Sequence, residues 1–256
     1  MRISRLLCVG LPVLLTIAAL VSFLVVALSG VTHHGVNLFR LDTEDLSIDP
    51  ASFEGIAGRL LDANNKTRSD MKIDNITAND LHLAKSYDVN VFGFCWMDQD
   101  SKDYHCSDSG FDWASHYLNT TTLDNLRSPS GIRIQFPEEL NRALRFFAHI
   151  STWTQGAIVM ALLTLFAELA VGILSVFSRT ISCITWLITV IAIILVCSAA
   201  SLATAQAVVV VSAVETTARW YGVHSQINIS FIATVWVGFA FTISSGLFWL
   251  LTICCG

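Results

Sequence analysis

The sequence predicts an all-α bundle of four transmembrane helices that carries a small, disulfide-pinned, β-containing domain outside the membrane. Three observations lead there. Four apolar segments, 6–29, 150–176, 182–212 and 231–252, each exceed the ~18–20 residues that cross a ~30 Å hydrocarbon core, and none contains Lys or Arg. Of 15 basic and 20 acidic residues, eleven and eighteen lie between 30 and 147, giving that one loop a net charge of −7. The same loop holds Gly93-Phe94-Cys95-Trp96 with a second cysteine, Cys106, eleven residues after the first.

Residues 1–29 form the cytoplasmic N-terminus and first span. Their Arg-rich start and Ala-Leu-Ser-Gly ending fit a cleaved signal peptide loosely, but the apolar run is well beyond the ~7–15 residues of such a segment, which favours a retained span. Pro12 sits early in it, where a packed bundle tolerates the missing backbone donor. Residues 30–149 are the large outer loop, 150–176 the second span, 177–181 a cytoplasmic hairpin and 182–212 the third span. A small outer loop at 213–230, a fourth span at 231–253 and a cytoplasmic end at 254–256 complete the chain.

Orientation follows from the short connections, because long loops translocate largely regardless of charge. Arg2 and Arg5 precede the first span and Arg179 lies between the second and third, so both termini are expected on the cytoplasmic side. Asn-x-Ser/Thr sequons at Asn65, Asn75, Asn119 and Asn228 then all face outward, as glycosylation requires. Asn228 lies too close to the bilayer to be a good acceptor, leaving Asn65, Asn75 and Asn119.

Cysteines divide by compartment. Cys95 and Cys106 are the pair on the oxidising side, so a disulfide between them is expected, worth roughly 2–3 kcal/mol through the loop it closes. The run from Val89 to Met97 is rich in Val and Phe and reads as one strand, with 98–103 as its polar turn. Cys8, Cys183, Cys254 and Cys255 fall near the cytoplasmic face, where thiols stay reduced; Cys254 and Cys255 are candidates for S-acylation.

The remainder of the outer loop reads less sharply. Helical spacing is present around 53–61, and 132–136 alternates as a short strand. Pro137-Glu138-Glu139 opens a helix, since proline suits the first turn and acids there oppose the positive helix end; that helix is expected to run unbroken into the second span. A compact outer sheet resting on extended helix ends is the architecture that results.

Within the membrane, Glu168 shares a helical face with Thr164 and Gly172. It is expected to face the bundle as a neutral carboxyl, with Thr189, Ser244 and Ser245 at matching depth as partners. An intramembrane ionisable residue is also a functional candidate, here for an ion or proton path. Cys197, Ser201, Thr204, Ser212 and Glu215 recur at three-to-four spacing on the third span; such small, hydroxylated faces let helices approach closely. Core packing is the expectation and a lateral homo-oligomer seam the alternative. Trp153, Trp220 and Trp236 outside and Trp186 and Trp249 inside read as interfacial belts. His33, His34, His149 and His224 map near the outer face, without Cys or Asp at ligand spacing, so no metal site is expected.

Phe92-Gly93-Phe94-Cys95-Trp96, Cys106 and Phe111-Asp112-Trp113, placed on this four-span topology, resemble the claudin superfamily. Within it the chain is most similar to the fungal Sur-seven/PalI family, because Trp96 follows the first cysteine whereas animal claudins place a Trp before the pair. The resemblance implies a claudin-like fold and a plasma-membrane protein of the furrow-like eisosome compartment, acting on cell wall, membrane lipids and resident transporters.

No phosphate-binding Gly-rich loop, His-Glu-x-x-His or Gly-x-Ser-x-Gly motif occurs, so no catalytic residues and no cofactor are assigned. The acidic outer face and small cytoplasmic mass exclude nucleic acid as a partner. Three functions remain: a non-enzymatic organiser of a lateral membrane domain, a PalI-like accessory that escorts an ambient-pH receptor, and an auxiliary subunit of a channel or transporter. The expected partners are membrane lipids and further copies of the chain or other integral membrane proteins.

Overall fold

The structure, a computed structural model, describes residues 2–29, 36–48, 76–79, 83–99, 103–117, 138–175 and 179–255. The sequons at Asn65, Asn75 and Asn119, the helical spacing at 53–61, the strand at 132–136 and His33 and His34 lie outside the described residues.

Four helices are long and apolar enough to cross a membrane. They are α1 (Arg2–Leu28), α3 (Glu138–Leu174), α4 (Arg179–Thr217) and α5 (Ile229–Cys255). α3 runs unbroken from just after Pro137, as the proline and paired acids imply. α4 starts at Arg179, so this residue belongs to the helix rather than to the hairpin, and it continues beyond 212 to Thr217.

α1 packs mainly on α5, α5 on α4, α4 on α3 and α3 back on α1, closing a ring. In lipid no hydrophobic force separates helix from surroundings, so close approach over small residues holds such a bundle. A Cβ on Gly238 of α5 would lie 2.9 Å from the Phe23 ring of α1, and one on Gly172 of α3 would lie 2.9 Å from the Trp249 ring of α5. α4 turns Ala192, Val196, Ala199, Ala200, Ala203 and Ala207 inward, all fully buried.

That alanine face displaces the hydroxyl stripe expected in the core. Ser201 and Ser212 are exposed, while Cys197 and Thr204 are only half-buried. Ser198 and Ser212 donate to carbonyls of their own helix, which removes their need for a partner across the bundle. Trp249 is likewise corrected from interface to core: it is wholly buried, because Gly172 opens the space for it.

One end of the ring carries a five-stranded antiparallel sheet in the order β6-β5-β4-β1-β7. Its strands are β1 (Phe39–Asp42), β4 (Ser86–Val89), β5 (Phe94–Met97), β6 (Tyr104–Cys106) and β7 (His224–Ile227). β2 (Ser47–Ile48) and β3 (Ile76–Thr77) form a separate pair, and a short helix α2 (Trp113–Tyr117) follows β6. The single strand expected from Val89 to Met97 is two strands joined by a tight turn, in which the Asn90 N–H donates to the Gly93 carbonyl at 2.8 Å. β7 was not anticipated: the small second loop pairs with β1 through Phe39–Ile227 and Leu41–Ser225.

Candidate functional site

The alternation of β1, β4 and β5 gives the sheet two different faces. Phe39, Val89, Phe94 and Ile227 stand in one row and point toward the helices, while Arg40, Asp88, Cys95 and Cys106 occupy the adjacent row on the opposite face. On that second face Arg40 Nε and Nη2 donate to Asp88 Oδ1 and Oδ2 at 2.6 and 2.8 Å, a two-pronged pair that fixes β1 against β4. Asn37 Nδ2 also donates to Asp88 Oδ1 at 3.0 Å. Cys95 and Cys106 are direct cross-strand partners and are disulfide-bonded.

Each residue of the Gly93-Phe94-Cys95-Trp96 motif has a separate task. Gly93 leaves room for the Ser107 hydroxyl, which a Cβ would meet at 3.0 Å and which accepts the Phe94 N–H at 3.1 Å. Phe94 reaches down to Trp113 and Tyr117, with ring centroids 5.5 and 5.3 Å away, and Trp96 stacks beside it at 5.6 Å. Trp113 continues to Phe147 of α3, and Phe147 to Phe39, each at 6.3 Å. Such spacings are those of favourable aromatic pairs. The rings thus couple the disulfide hairpin to the end of a membrane helix.

Polar groups complete the dock. The Val91 carbonyl, in the turn before β5, accepts Trp113 Nε1 at 2.9 Å and Gln155 Nε2 at 2.8 Å. Gln155 Oε1 in turn accepts the Asp112 N–H at 2.7 Å. Asp112 has a left-handed backbone, φ 59°, which Asp tolerates better than most residues. Its Oδ1 accepts the hydroxyls of Ser115 and Thr152 at 2.6 Å. Those bonds, Ser115 first, hold the Asp112 carboxyl below its ordinary range against a small opposing effect of burial.

Deeper in the bundle, Glu168 of α3 is almost fully buried. Thr16 Oγ1 of α1 and Ser245 Oγ of α5 each donate to its Oε1 at 2.9 Å. Thr189 of α4 and the Trp249 indole of α5 also face the carboxyl. Oε2 has no hydrogen-bond partner among the described residues.

The sequence profile of the SUR7/PalI family matches residues 8–248, nearly the whole chain. The chain belongs to the SUR7/PalI family. No curated protein and no solved structure matches it. Family and structure together make this SUR7/PalI protein a multi-pass membrane protein with a claudin-like fold, four membrane helices below a small antiparallel sheet that carries the Cys95–Cys106 disulfide.

The motif residues of this SUR7/PalI protein converge at the sheet–helix dock, and Glu168 sits apart from them in the bundle. Of the partners expected for Glu168, Ser245 makes the bond. Thr189 is beside it but donates to the Thr185 carbonyl. Ser244 does not contribute, since its hydroxyl donates to Ala240 of its own helix. Thr16 was missed, as were Gln155 and Thr152 at the dock. A polar side chain near the sheet end of an apolar run was the available signal for Gln155.

Asn228 Nδ2 donates to Asn37 Oδ1 at 2.6 Å, tying the start of α5 to the sheet. Glu215, placed on the expected hydroxyl stripe of α4, instead accepts the Ser225 N–H at 2.8 Å and so anchors β7. His149 accepts the Trp153 indole N–H and His224 is on the edge strand; among the described residues no His, Cys, Asp or Glu group is arranged to hold a metal. Cys254 and Cys255 end α5, and their side chains lie outside the described part of the structure.

Proposed function

We propose that the chain is a non-enzymatic organiser of a lateral, eisosome-like domain of the plasma membrane, linked to cell-wall and membrane-lipid homeostasis. Its termini face the cytoplasm and the sheet faces outward. It works by side-to-side association with further copies, with other integral membrane proteins and with lipids.

One observation carries the reading. The bundle closes through the alanine face of α4, which leaves the Cys197, Ser198 and Ser201 face of the same helix turned outward. With Ile193, Ile194, Leu202 and Phe239 it borders an open groove of about 630 Å3, lined almost entirely by apolar surface. A small, weakly polar groove of this kind supports close packing against another apolar body in the bilayer.

Imaging of the tagged protein at the cell surface tests this. Stable patches that disperse when Ser198 and Ser201 are both replaced by Leu are expected. A diffuse signal, with delivery of a pH receptor lost on deletion, would favour the accessory reading and reject the organiser.

A further inference from the structure

The Lys and Arg side chains that the structure describes are Arg40, Lys85, Arg145 and Arg219. Arg40 pairs with Asp88 at 2.6 Å, Lys85 with Glu44 at 2.7 Å and Arg219 with Glu215 at 3.8 Å. Arg145 has no acid within ion-pair distance among the described residues, although the loop that ends beside it has a net charge of −7.

The position of Arg145 explains what it faces instead. Arg145, Phe146, His149 and Trp153 share one exposed arc of α3, which Met160 and Leu163 continue toward the middle of the span, while Ala148, Ser151, Thr154 and Gln155 are turned inward. At a rise of 1.5 Å per residue, His149 stands about 6 Å and Arg145 about 12 Å beyond Trp153. Tryptophan marks the boundary between membrane and water, and the headgroup layer above the hydrocarbon is about 5–8 Å deep. His149 lies within that layer, and the flexible stem of Arg145 brings its charged head to it.

Trp153 also prepares the imidazole. Its Nε1–H donates to His149 Nε2 at 3.0 Å, so the neutral ring carries its hydrogen on Nδ1. That N–H has no acceptor among the described residues. Asp112, just before the short helix that packs on this end of α3, is occupied by the hydroxyls of Ser115 and Thr152. Two donors, an arginine fork and an imidazole N–H, therefore stand one turn apart, with Cβ atoms about 5–6 Å from each other. They face lipid, and no described anion of the protein satisfies them.

We propose that this arc of α3 binds the phosphate of a phospholipid headgroup in the leaflet on the sheet side, with Arg145 and His149 as the donors. A phosphodiester holds two free oxygens at this depth, one for each donor, and the arginine fork matches it in shape and charge. The acyl chains of the same lipid lie over Trp153, Met160 and Leu163. The inference rests on the lipid association of the proposed function and names the site at which it occurs.

The test uses the full chain purified in a maltoside detergent, which contains no phosphate. Native mass spectrometry reads what the protein retains when phosphatidylglycerol, diacylglycerol with the same chains, or inorganic phosphate is added. The wild type should keep one phosphatidylglycerol and release diacylglycerol. Arg145→Gln should lose roughly tenfold in retention, the worth of a hydrogen bond to a charged group, and His149→Phe should lose less. Arg219→Gln, the same change of charge at a paired arginine, should leave retention as it is. Equal retention by wild type and Arg145→Gln, equal retention of diacylglycerol, displacement of the lipid by an equal concentration of inorganic phosphate, or a dimer that keeps no lipid would each overturn the proposal. So would an Arg145→Gln chain that fails to fold, because an exposed side chain held only by lipid has no folding contact to lose. The measurement is made on the isolated protein, so its outcome is separate from whether the protein forms patches in the cell.

Discussion

Gln155 holds Val91: the amide of a buried membrane-helix side chain donates to the carbonyl of the turn that leads into the disulfide strand, at 2.8 Å. The same side chain accepts the Asp112 N–H. A single residue of α3 therefore gathers two distant points of the sheet domain.

Gln155→Leu is expected to loosen this dock. The Val91 carbonyl keeps Trp113 Nε1, whereas the Asp112 N–H loses its acceptor, a cost of about 1–3 kcal/mol for a group left unsatisfied. Denaturant unfolding of the purified protein measures the loss. Unchanged stability would show that the aromatic contacts alone hold the sheet.

Asp112 predicts a pH dependence. Its carboxyl is held below the ordinary range by Ser115 and Thr152, so its contribution to stability is present above the unfolded value of about 3.9 and is lost as pH falls through the lower folded value. Thr152→Val removes one of the two bonds. The stability gap between wild type and Thr152→Val should be constant at neutral pH and shrink in acid, as thermal unfolding over a pH series would reveal. A gap that widens in acid contradicts the assignment.

Replacing Cys95 or Cys106 by Ser should cost about 2–3 kcal/mol and cause retention of the protein in the secretory pathway. Mass spectrometry of a non-reduced digest of the wild type should recover the linked peptide. Finding both residues as free thiols at the cell surface would be decisive against the bond.

Gly238→Val is expected to separate α5 from α1, because even a Cβ meets the Phe23 ring at 2.9 Å and Ser22 Cβ at 3.1 Å. Overpacking of this kind costs about 1–3 kcal/mol. Thermal unfolding in detergent checks it, and Phe23→Ala in the same chain should recover part of the loss.

Glycosidase treatment should lower the apparent mass, with Asn65, Asn75 and Asn119 as contributing sites. Tags at both termini should be reachable only after permeabilisation. An N-terminal tag exposed on intact cells would reject the expected orientation.

The helices and the cysteine pair were legible because each has a one-dimensional signature: length of apolar run, or two cysteines in one loop. Glu168 stood out for the same reason, a carboxylate inside such a run. The Asn90–Gly93 turn did not, since its central residues are Val91 and Phe92, and two apolar residues in a bend read as continuation of a strand. They are apolar because the turn faces the helices, a tertiary fact. β7 was hidden by its brevity and its polar sequence, His224-Ser225-Gln226-Ile227, which earns its strand only by pairing with β1. The core face of α4 was misjudged because a hydroxyl can satisfy itself on its own helix, leaving alanine as the better residue for close contact.

The pairing of β1 with β7 sets an order on biosynthesis. β1 leaves the ribosome just after the first helix, whereas its partner arrives only once the third helix has been made, immediately before the last. The disulfide hairpin can close early, while one side of Phe39–Asp42 waits with its backbone groups uncovered through most of translation. A nascent chain stalled before the last helix would thus present a strand edge to chaperones, and completion of the sheet would report that the third membrane helix and the loop after it are in place.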